Sequence, residues 1–544
     1  MITASDYLAP PEAHLRREGL RGWTLAQYLV QTESRHPEGE AVVDGTVRLS
    51  WRELGRRARA YAARLQAAGF VPGDVLALQL PNSWEFIVAH LGAALAGVVT
   101  MTLHTPYRDH EVGALLKVAR ARGVLVQHRV GDRDYVAMVE RLARELPDLK
   151  NVWVARPDPG LGYGEPFDQD WSADRGFRPP ELAPEAPFAL IFTSGTQSLM
   201  PKGCIHTHDA LLSNAAWLAA DAPFGEGDTI LSASPFTHMF GIGTIHLAVV
   251  SGARQVILPH FHPKTFVDLL VQEGVTSAVA VPAQLLDALG ELAQHPRSGL
   301  RLKEVRTGGV APPQRLVSQA RRLFGCPLVV QWGMSEIGAG SWTRRDDPEA
   351  VALHTVGRPA GPSRFAIIDE SGREVPAGEV GEVVFYGPSL FRGYLDGAQE
   401  TRAAYLSAGG FATGDLGFLD PDGRLHFVGR KKDMVNRGGM KVSCREVEEY
   451  LRGVAGVREV AVVPYPDPRL GERACAVVRL DPGARIELRD LTAHLDALKV
   501  AKYKWPERLL VVDEMPLTPS GKIAKERLRQ WVSEAMAAER PSGT

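Results

Sequence analysis

The sequence predicts an α/β protein: a large N-terminal domain of α/β layers carrying an added β-element, and a small, mobile α+β C-terminal domain. Three observations carry that reading. Apolar strand-like runs alternate with segments of helical periodicity through most of the chain, the pattern of repeated strand–helix units. From Arg364 to Tyr386 the texture changes to short strands with Gly-rich turns. From Lys431 onward a further set of strands and helices is long enough for an independent domain of about 110 residues. The expected domains are therefore residues 1–430 and 431–544.

In chain order, Thr24–Arg35 and Trp51–Gly69 have helical periodicity, and Asp74–Leu80 reads as a strand stopped by Pro81-Asn82. The run Phe86–Leu103 approaches the length of a membrane span, but His90, Gly92 and Gly97 break it into a buried helix and a strand over Val98–Met101. Residues 155–186, rich in Pro, Gly and Asp, read as a surface connection. Thr229–Ala233, Arg254–Leu258 and Ser277–Val281 are further strands separated by helices. In the second domain the expected order is helix Glu446–Arg452, strands Glu459–Val463 and Ala474–Leu480, helix Leu488–Leu498 and strand Arg508–Val512.

With 544 residues, 45% hydrophobic and 23% charged, the chain can bury large cores. Its 62 basic and 64 acidic residues nearly cancel, so no field for nucleic acid is implied. Four cysteines stand far apart with no CxxC pair, which fits a reducing compartment. The first residues, Met1–Arg17, mix charged residues and proline without an apolar core, so no targeting segment is read there and a cytoplasmic location is expected. The pairs His206/His208 and His260/His262 lack a third ligand at motif spacing and are not read as a metal site.

Phe192-Thr-Ser-Gly-Thr-Gln-Ser-Leu-Met-Pro-Lys-Gly203 organises the rest. It follows an apolar strand, Pro187–Phe192, and precedes a helix beginning near His208 or Asp209, so it reads as a strand-to-helix loop. Hydroxyl side chains, glycines that let backbone N–H groups approach, and a lysine are what a polyphosphate needs. It is not a Walker A loop, because Lys202 is followed by Gly203. Further along, Thr307-Gly-Gly-Val-Ala-Pro312 ends a strand in a glycine turn, and Gln331-Trp-Gly-Met-Ser-Glu336 follows another. Thr413-Gly-Asp-Leu-Gly417 and Gly429-Arg-Lys-Lys-Asp433 flank a hairpin turn at Asp420–Gly423. Leu517-Thr-Pro-Ser-Gly-Lys-Ile523 presents Lys522 at a loop tip.

In content and order these motifs resemble the adenylate-forming superfamily of acyl-CoA synthetases, aryl-acid activating enzymes, peptide-synthetase adenylation domains and beetle luciferases. The resemblance spans about Thr24–Leu528. Two departures stand out: the phosphate loop is one residue longer, with Gln197-Ser198 where Thr-Gly is common, and Trp332 stands where the family has Tyr. The resemblance implies ATP, Mg2+ and coenzyme A as cofactors. It implies that Thr193, Ser194, Gly195, Thr196 and Lys202 hold phosphates, and that Gly309, Trp332, Gly333 and Ser335 frame the nucleotide. Glu336 would bind magnesium and Asp415 the ribose hydroxyls, with Arg430 approaching the nucleotide from the domain border. Gly438 and Gly439 would line the pantetheine tunnel, Lys432 would be the hinge, and Lys522 the closing catalytic lysine. A carboxylate would attack the α-phosphorus of ATP, and a thiol would then displace AMP from the acyl-adenylate.

The same resemblance places His238, Met239, Gly309, Gln331, Gly333 and Gly338 around the acid, with His238 as the pocket histidine. Dihydroxybenzoate-type enzymes carry Asn where this chain has Met239, so an ortho-hydroxylated benzoate is disfavoured and a plain aromatic or alicyclic acid favoured. Gln331 would shorten the pocket and Gly338 leave it wide, which suits a ring. The acceptor is expected to be CoA; a carrier-protein phosphopantetheine, or a medium- or long-chain fatty acid as substrate, are the alternatives. The oligomeric state stays open, a homodimer included.

Overall fold

The computed structural model describes residues 21–168, 171, 177–193, 201–309, 312–437, 440–467, 470–498, 500–518 and 521–539. They form two compact units. One holds the described chain up to Thr193 together with Lys202–Phe365 and Phe385–Phe411; the other holds Ala366–Val384 and the chain from Ala412 on.

The first unit is built on two sheets. The nine-stranded sheet has the spatial order Arg358–Pro359, Gly338–Trp342, Leu328–Met334, Glu304–Gly308, Ser277–Val279, Thr229–Ser232, Arg254–Ile257, Glu40–Asp44, Val47–Ser50. Its middle strands are parallel and its edges antiparallel. The eight-stranded sheet runs Gly393–Tyr394, Gly203–Thr207, Pro187–Phe192, Val99–Thr102, Val75–Gln79, Gly123–Gln127, Asn151–Ala155, Glu165–Pro166. Helices supply the crossovers that parallel pairing requires.

Sequence explains the main helices. Thr24 caps Leu25–Arg35 in a capping box with Gln27. Ser83 caps Trp84–Ala96 by accepting from the Phe86 N–H. Every residue of that helix is buried, as expected of an apolar run without a polar face. No helix among the described residues is long and apolar enough to cross a membrane.

Two expectations are corrected. The phosphate loop does not lead from a strand into a helix: Gly203–Thr207 is itself a strand, antiparallel to Pro187–Phe192, and the helix His208–Asp221 follows it. The motif's close on a glycine hid a strand whose five residues are all buried. Residues 155–186 are not only a surface connection, because Glu165–Pro166 adds an edge strand and Phe167 is fully buried against Tyr61. A composition rich in Pro and Gly masks a strand this short.

In the second unit the strands Val457–Asp467 and Gly471–Leu480 belong to a five-stranded sheet covered on both faces. Val460, Val462, Ala474, Ala476 and Val478 pack with helices Cys444–Leu451 and Leu488–Ala497. The intervening Ala461, Val463, Cys475 and Val477 pack with Leu528 and Val532 of the helix Lys525–Glu539. Double coverage is why these strands read as continuous apolar runs rather than alternating ones. The four-stranded sheet Arg364–Ile368, Gly381–Tyr386, Phe411–Leu419, Leu425–Arg430 is the added β-element.

Inside the first unit lies a chain of buried histidines. His90 Nε2 is 3.0 Å from His246 Nε2, and His90 Nδ1 is 3.0 Å from the Thr100 hydroxyl. Phe188 packs on His90, His246 and His208. Leu25 N–H donates to His208 Nδ1, so that ring is an acceptor there. Burial, and next the neighbouring rings, push His90 and His208 down to about 3 and His246 well below its usual value. Burial takes His206 to about 4 against the opposing pull of the Ser335 carbonyl. These rings are neutral when folded, whereas in the unfolded chain each takes a proton below about pH 6.5. Stability is therefore complete above that pH and lost as pH falls towards the folded values, at up to about 1.4 kcal/mol per pH unit for each ring. We expect the melting midpoint of this unit to drop by several degrees between pH 7 and 5, and the drop to shrink in His90→Leu/His246→Leu; equal slopes in both proteins, followed by calorimetry, would contradict this.

Candidate active site

The hairpin from Leu328–Met334 to Gly338–Trp342 displays much of the first unit's candidate machinery. Gly333 must lack a side chain, because a Cβ there would collide with the Gly338 carbonyl. Gly338 has φ +79°, and a Cβ on it would stand 2.9 Å from Asn214 Oδ1. Asn214 explains that approach: its amide accepts from Ala339 N–H and donates to the Ala339 carbonyl, fastening the strand to the helix His208–Asp221. The missing side chain of Gly338 thus makes room for Asn214. Asn214 carries no motif and could not have been found without the structure.

Successive side chains of Leu328–Met334 point to opposite faces. Trp332 is buried, lies against Gly340 and meets Phe365 edge-on at 5.4 Å. Gln331, half-buried on the other face, accepts through Oε1 from Arg306 at 3.3 Å. Gly308 and Gly309 close the neighbouring strand Glu304–Gly308, Gly308 pairing with Gln331.

At the hairpin tip the Ser335 carbonyl lies 2.6 Å from His206 Nε2, which donates to it. The Glu336 carbonyl accepts from Phe391 N–H at 2.8 Å, and its carboxylate accepts from the Tyr394 hydroxyl at 2.8 Å. The Lys202 ammonium stands 4.9 Å from the centre of the Tyr394 ring. Lys202 also closes the neck of the loop that follows Phe192: Thr193 N–H donates to its carbonyl at 2.9 Å, and its N–H donates to the Thr193 hydroxyl at 3.2 Å. Tyr394 therefore bridges Glu336 and Lys202. The sequence reading missed it; Tyr394 belongs to the two-residue strand Gly393–Tyr394, which pairs with Gly203–Thr207 beside Cys204. Burial, then Glu336, raise the Tyr394 phenol, so it stays a donor.

His238 caps the helix Met239–Ser251, its Nδ1 accepting from Phe240 N–H at 3.3 Å, and Met239 is buried beside it. The ring stacks on His104 at 6.2 Å. His104 lies 3.0 Å from the Thr237 hydroxyl, and burial lowers its pKa to about 4, so it is neutral at physiological pH. It too escaped sequence reading, lying outside any motif.

In the second unit Asp415 and Arg430 pair across adjacent strands, Arg430 Nε and Asp415 Oδ1 forming an ion pair at 2.8 Å. Asp415 is buried, and its N–H rests on the Thr413 hydroxyl. Lys522 belongs to the same group. Its loop is pinned by Thr518, whose N–H donates to the Lys522 carbonyl at 2.6 Å and whose hydroxyl accepts from Lys522 N–H at 3.1 Å, around Gly521. Lys522 is not a free tip. Burial, and next the positive charge of Arg430, lower its ammonium to about 8, with Asp415 pulling the other way. Lys432 lies in the short 3-10 turn Lys431–Asp433, where Arg529 anchors Asp433 at 2.7 Å. Ser194, Gly195, Thr196, Gly438 and Gly439 lie outside the described residues.

The sequence profile of the AMP-binding enzymes matches residues 29–395, and that of their C-terminal domain matches residues 446–522. The chain belongs to the AMP-binding, adenylate-forming enzymes. Such an enzyme uses ATP to adenylate a carboxylic acid. A salicylyl-CoA synthase/salicylate adenylyltransferase of a Streptomyces species is 36% identical over 526 residues, with 94% of each chain covered. A 2-hydroxy-7-methoxy-5-methyl-1-naphthoate–CoA ligase of Streptomyces carzinostaticus is 34% identical, with 93% of each covered. Among solved structures, ATP-bound MatB from Rhodopseudomonas palustris superposes with a TM-score of 0.84 at 27% identity, covering 94% of this chain and 99% of that one.

Among the described residues no group of three or more His, Cys, Asp or Glu could hold a metal ion. Magnesium beside a nucleotide does not ask for one, since it takes one or two carboxylates and completes its shell with phosphate oxygens and water. The Glu336 carboxylate, fixed by Tyr394, fits that sparse demand.

Two tests follow from this geometry. Tyr394→Phe removes a charge-assisted hydrogen bond and should lower kcat/KM for adenylation by roughly 10- to 100-fold while raising the magnesium concentration needed for half-saturation. Wild-type values for both would show that Glu336 does not depend on Tyr394. For Lys522, kcat/KM for ATP reports the free enzyme; it should fall as pH rises through about 8, where the cation is lost. A profile flat to the range of an ordinary lysine would contradict the assignment.

Proposed function

We propose that this enzyme activates an aromatic or alicyclic carboxylic acid as its acyl-adenylate and passes the acyl group to coenzyme A, releasing pyrophosphate and then AMP. The observation that carries the reading is the grouping of Lys522 with Asp415 and Arg430: a desolvated ammonium held beside a buried carboxylate and a guanidinium. No protein nucleophile is needed for the first half-reaction. The enzyme has to gather negative charge on a five-coordinate phosphorus, for which fixed cations and N–H donors in a dry site serve best. Asp415, with two acceptor oxygens, suits the pair of ribose hydroxyls. Lys202 and Thr193 hold the phosphates at the neck of their loop, and Lys522 brings its charge to the reacting oxygens. Magnesium, when bound, supplies further charge neutralisation on the phosphates, with Glu336 as its protein ligand.

For the second half-reaction we propose that residues 431–544 turn about Lys432, withdrawing Lys522 and bringing Gly438 and Gly439 to the pantetheine arm. The names of both Streptomyces relatives support CoA as acceptor and an aryl acid as substrate. Both of the acids in those names carry an ortho hydroxyl; Met239, apolar and buried beside His238, offers that hydroxyl no polar partner and supports an acid that differs from theirs in lacking it.

Lys522→Ala should reduce acyl-adenylate formation by roughly 10²–10³-fold, the scale of losing one pre-aimed donor, while CoA thioester formation from supplied adenylate survives. Unchanged pyrophosphate release would refute the role of Lys522. Across a panel of acids, benzoate-like and cyclohexane carboxylates should show higher kcat/KM than long straight-chain acids; the reverse order would refute the ring-shaped pocket.

A further inference from the structure

We infer that Gln331 reads a hydrogen-bond acceptor on the ring of the acid, because a buried ion cluster fixes its amide so that only donors face the pocket. The inference rests on the aryl-acid reading above.

The cluster begins with Glu304, fully buried at the start of its strand. Burial opposes its charge, yet Arg306 and Arg345 together hold the carboxyl below its usual range, so it is ionised. Arg306 grips both oxygens, Nε to Oε1 at 3.1 Å and Nη2 to Oε2 at 3.2 Å. Arg345 donates to Oε2 at 2.9 Å and the Ser277 hydroxyl to Oε1 at 3.0 Å. Arg306, 3% exposed, is thereby locked, and its remaining nitrogen, Nη1, lies 3.3 Å from Gln331 Oε1.

A guanidinium only donates. The Gln331 oxygen must therefore face Arg306, and the amide cannot flip without setting its N–H2 against a buried cation. That leaves Nε2, with two donors, directed away from the cluster. Among the described residues nothing accepts from it, and Gln331 is only half-buried.

Topology says where those donors lie. Val329, two residues earlier on the same face, packs with Leu247 and Ala248 of the helix Met239–Ser251. That helix joins the parallel neighbours Thr229–Ser232 and Arg254–Ile257. It runs antiparallel to them, and its first residue, Met239, lies level with the C-terminal ends of the strands. Gln331, on the helix-facing side, pairs with Gly308, the last residue of the parallel neighbour Glu304–Gly308, and so is at that level. Ligands of open parallel sheets bind there. An acid whose ring offers methoxy, carbonyl or nitro oxygen to Nε2 satisfies the donors; a bare or alkylated edge strands them. Since Met239 argues against the ortho position, the acceptor belongs at the meta or para carbon.

The test compares matched pairs of equal shape, meta- and para-methoxybenzoate against meta- and para-ethylbenzoate, by acid-dependent exchange of labelled pyrophosphate into ATP. Wild type should favour methoxy over ethyl at one ring position by about tenfold or more in kcat/KM, the penalty for an unpaired donor. Gln331→Leu keeps the size and removes the donors, so that preference should vanish. Gln331→Glu keeps the partner of Arg306 but offers the ring only acceptors, and should also lose it; this variant serves if the leucine protein is unstable. Aryl acids turned over with the same methoxy-to-ethyl ratio in all three proteins would overturn the role of Gln331 and leave the aryl-acid reading standing. Turnover of fatty acids with no aryl acid accepted would overturn both.

Discussion

The backbone of Gly338 lies so close to Gly333 that no side chain fits between them, and much of the first unit's candidate chemistry depends on that contact. Because the hairpin is this tight, Ser335 and Glu336 sit on a turn whose two carbonyls are held from outside, by His206 and by the backbone of Phe391. The Glu336 side chain accepts from Tyr394, which in turn carries Lys202 over its ring. Glu336 and Lys202, far apart in sequence, are coupled through one phenol.

Charge is handled in two different ways. Glu304, Arg306 and Arg345 form a buried cluster in which the carboxylate's oxygens are both engaged, the condition under which buried ions are tolerated. Its outward product is a neutral group, the oriented amide of Gln331. Asp415, Arg430 and Lys522 are grouped differently. There a lysine is pushed towards losing its proton by burial and next by a neighbouring guanidinium, an arrangement that costs stability and that a polyanionic nucleotide would relieve. The first cluster is complete within the protein; the second has an excess of positive charge.

Much of this was legible in the sequence because it depends on local pattern. The strand and helix order of the small domain could be read from apolar runs, and the motif order pointed to the family. Other features resisted reading for physical reasons. Gly203–Thr207 looks like the end of a loop because its strand character comes from pairing with Pro187–Phe192 and Gly393–Tyr394. The missing side chain of Gly338 makes room for Asn214, a residue that no local pattern links to it. Tyr394, His104 and Arg306 act through neighbours distant in the chain, and no local spacing betrays such contacts.

The central claim, that this chain adenylates a carboxylic acid of ring type, is tested most directly by incubating the full-length protein with ATP, magnesium and labelled pyrophosphate. A panel of aromatic, alicyclic and straight-chain acids is added one at a time. The account predicts exchange of label into ATP that depends on the acid and is strongest for ring carboxylates, with a CoA thioester in the mass spectrum once CoA is supplied. Absence of acid-dependent exchange with every member of the panel would contradict it.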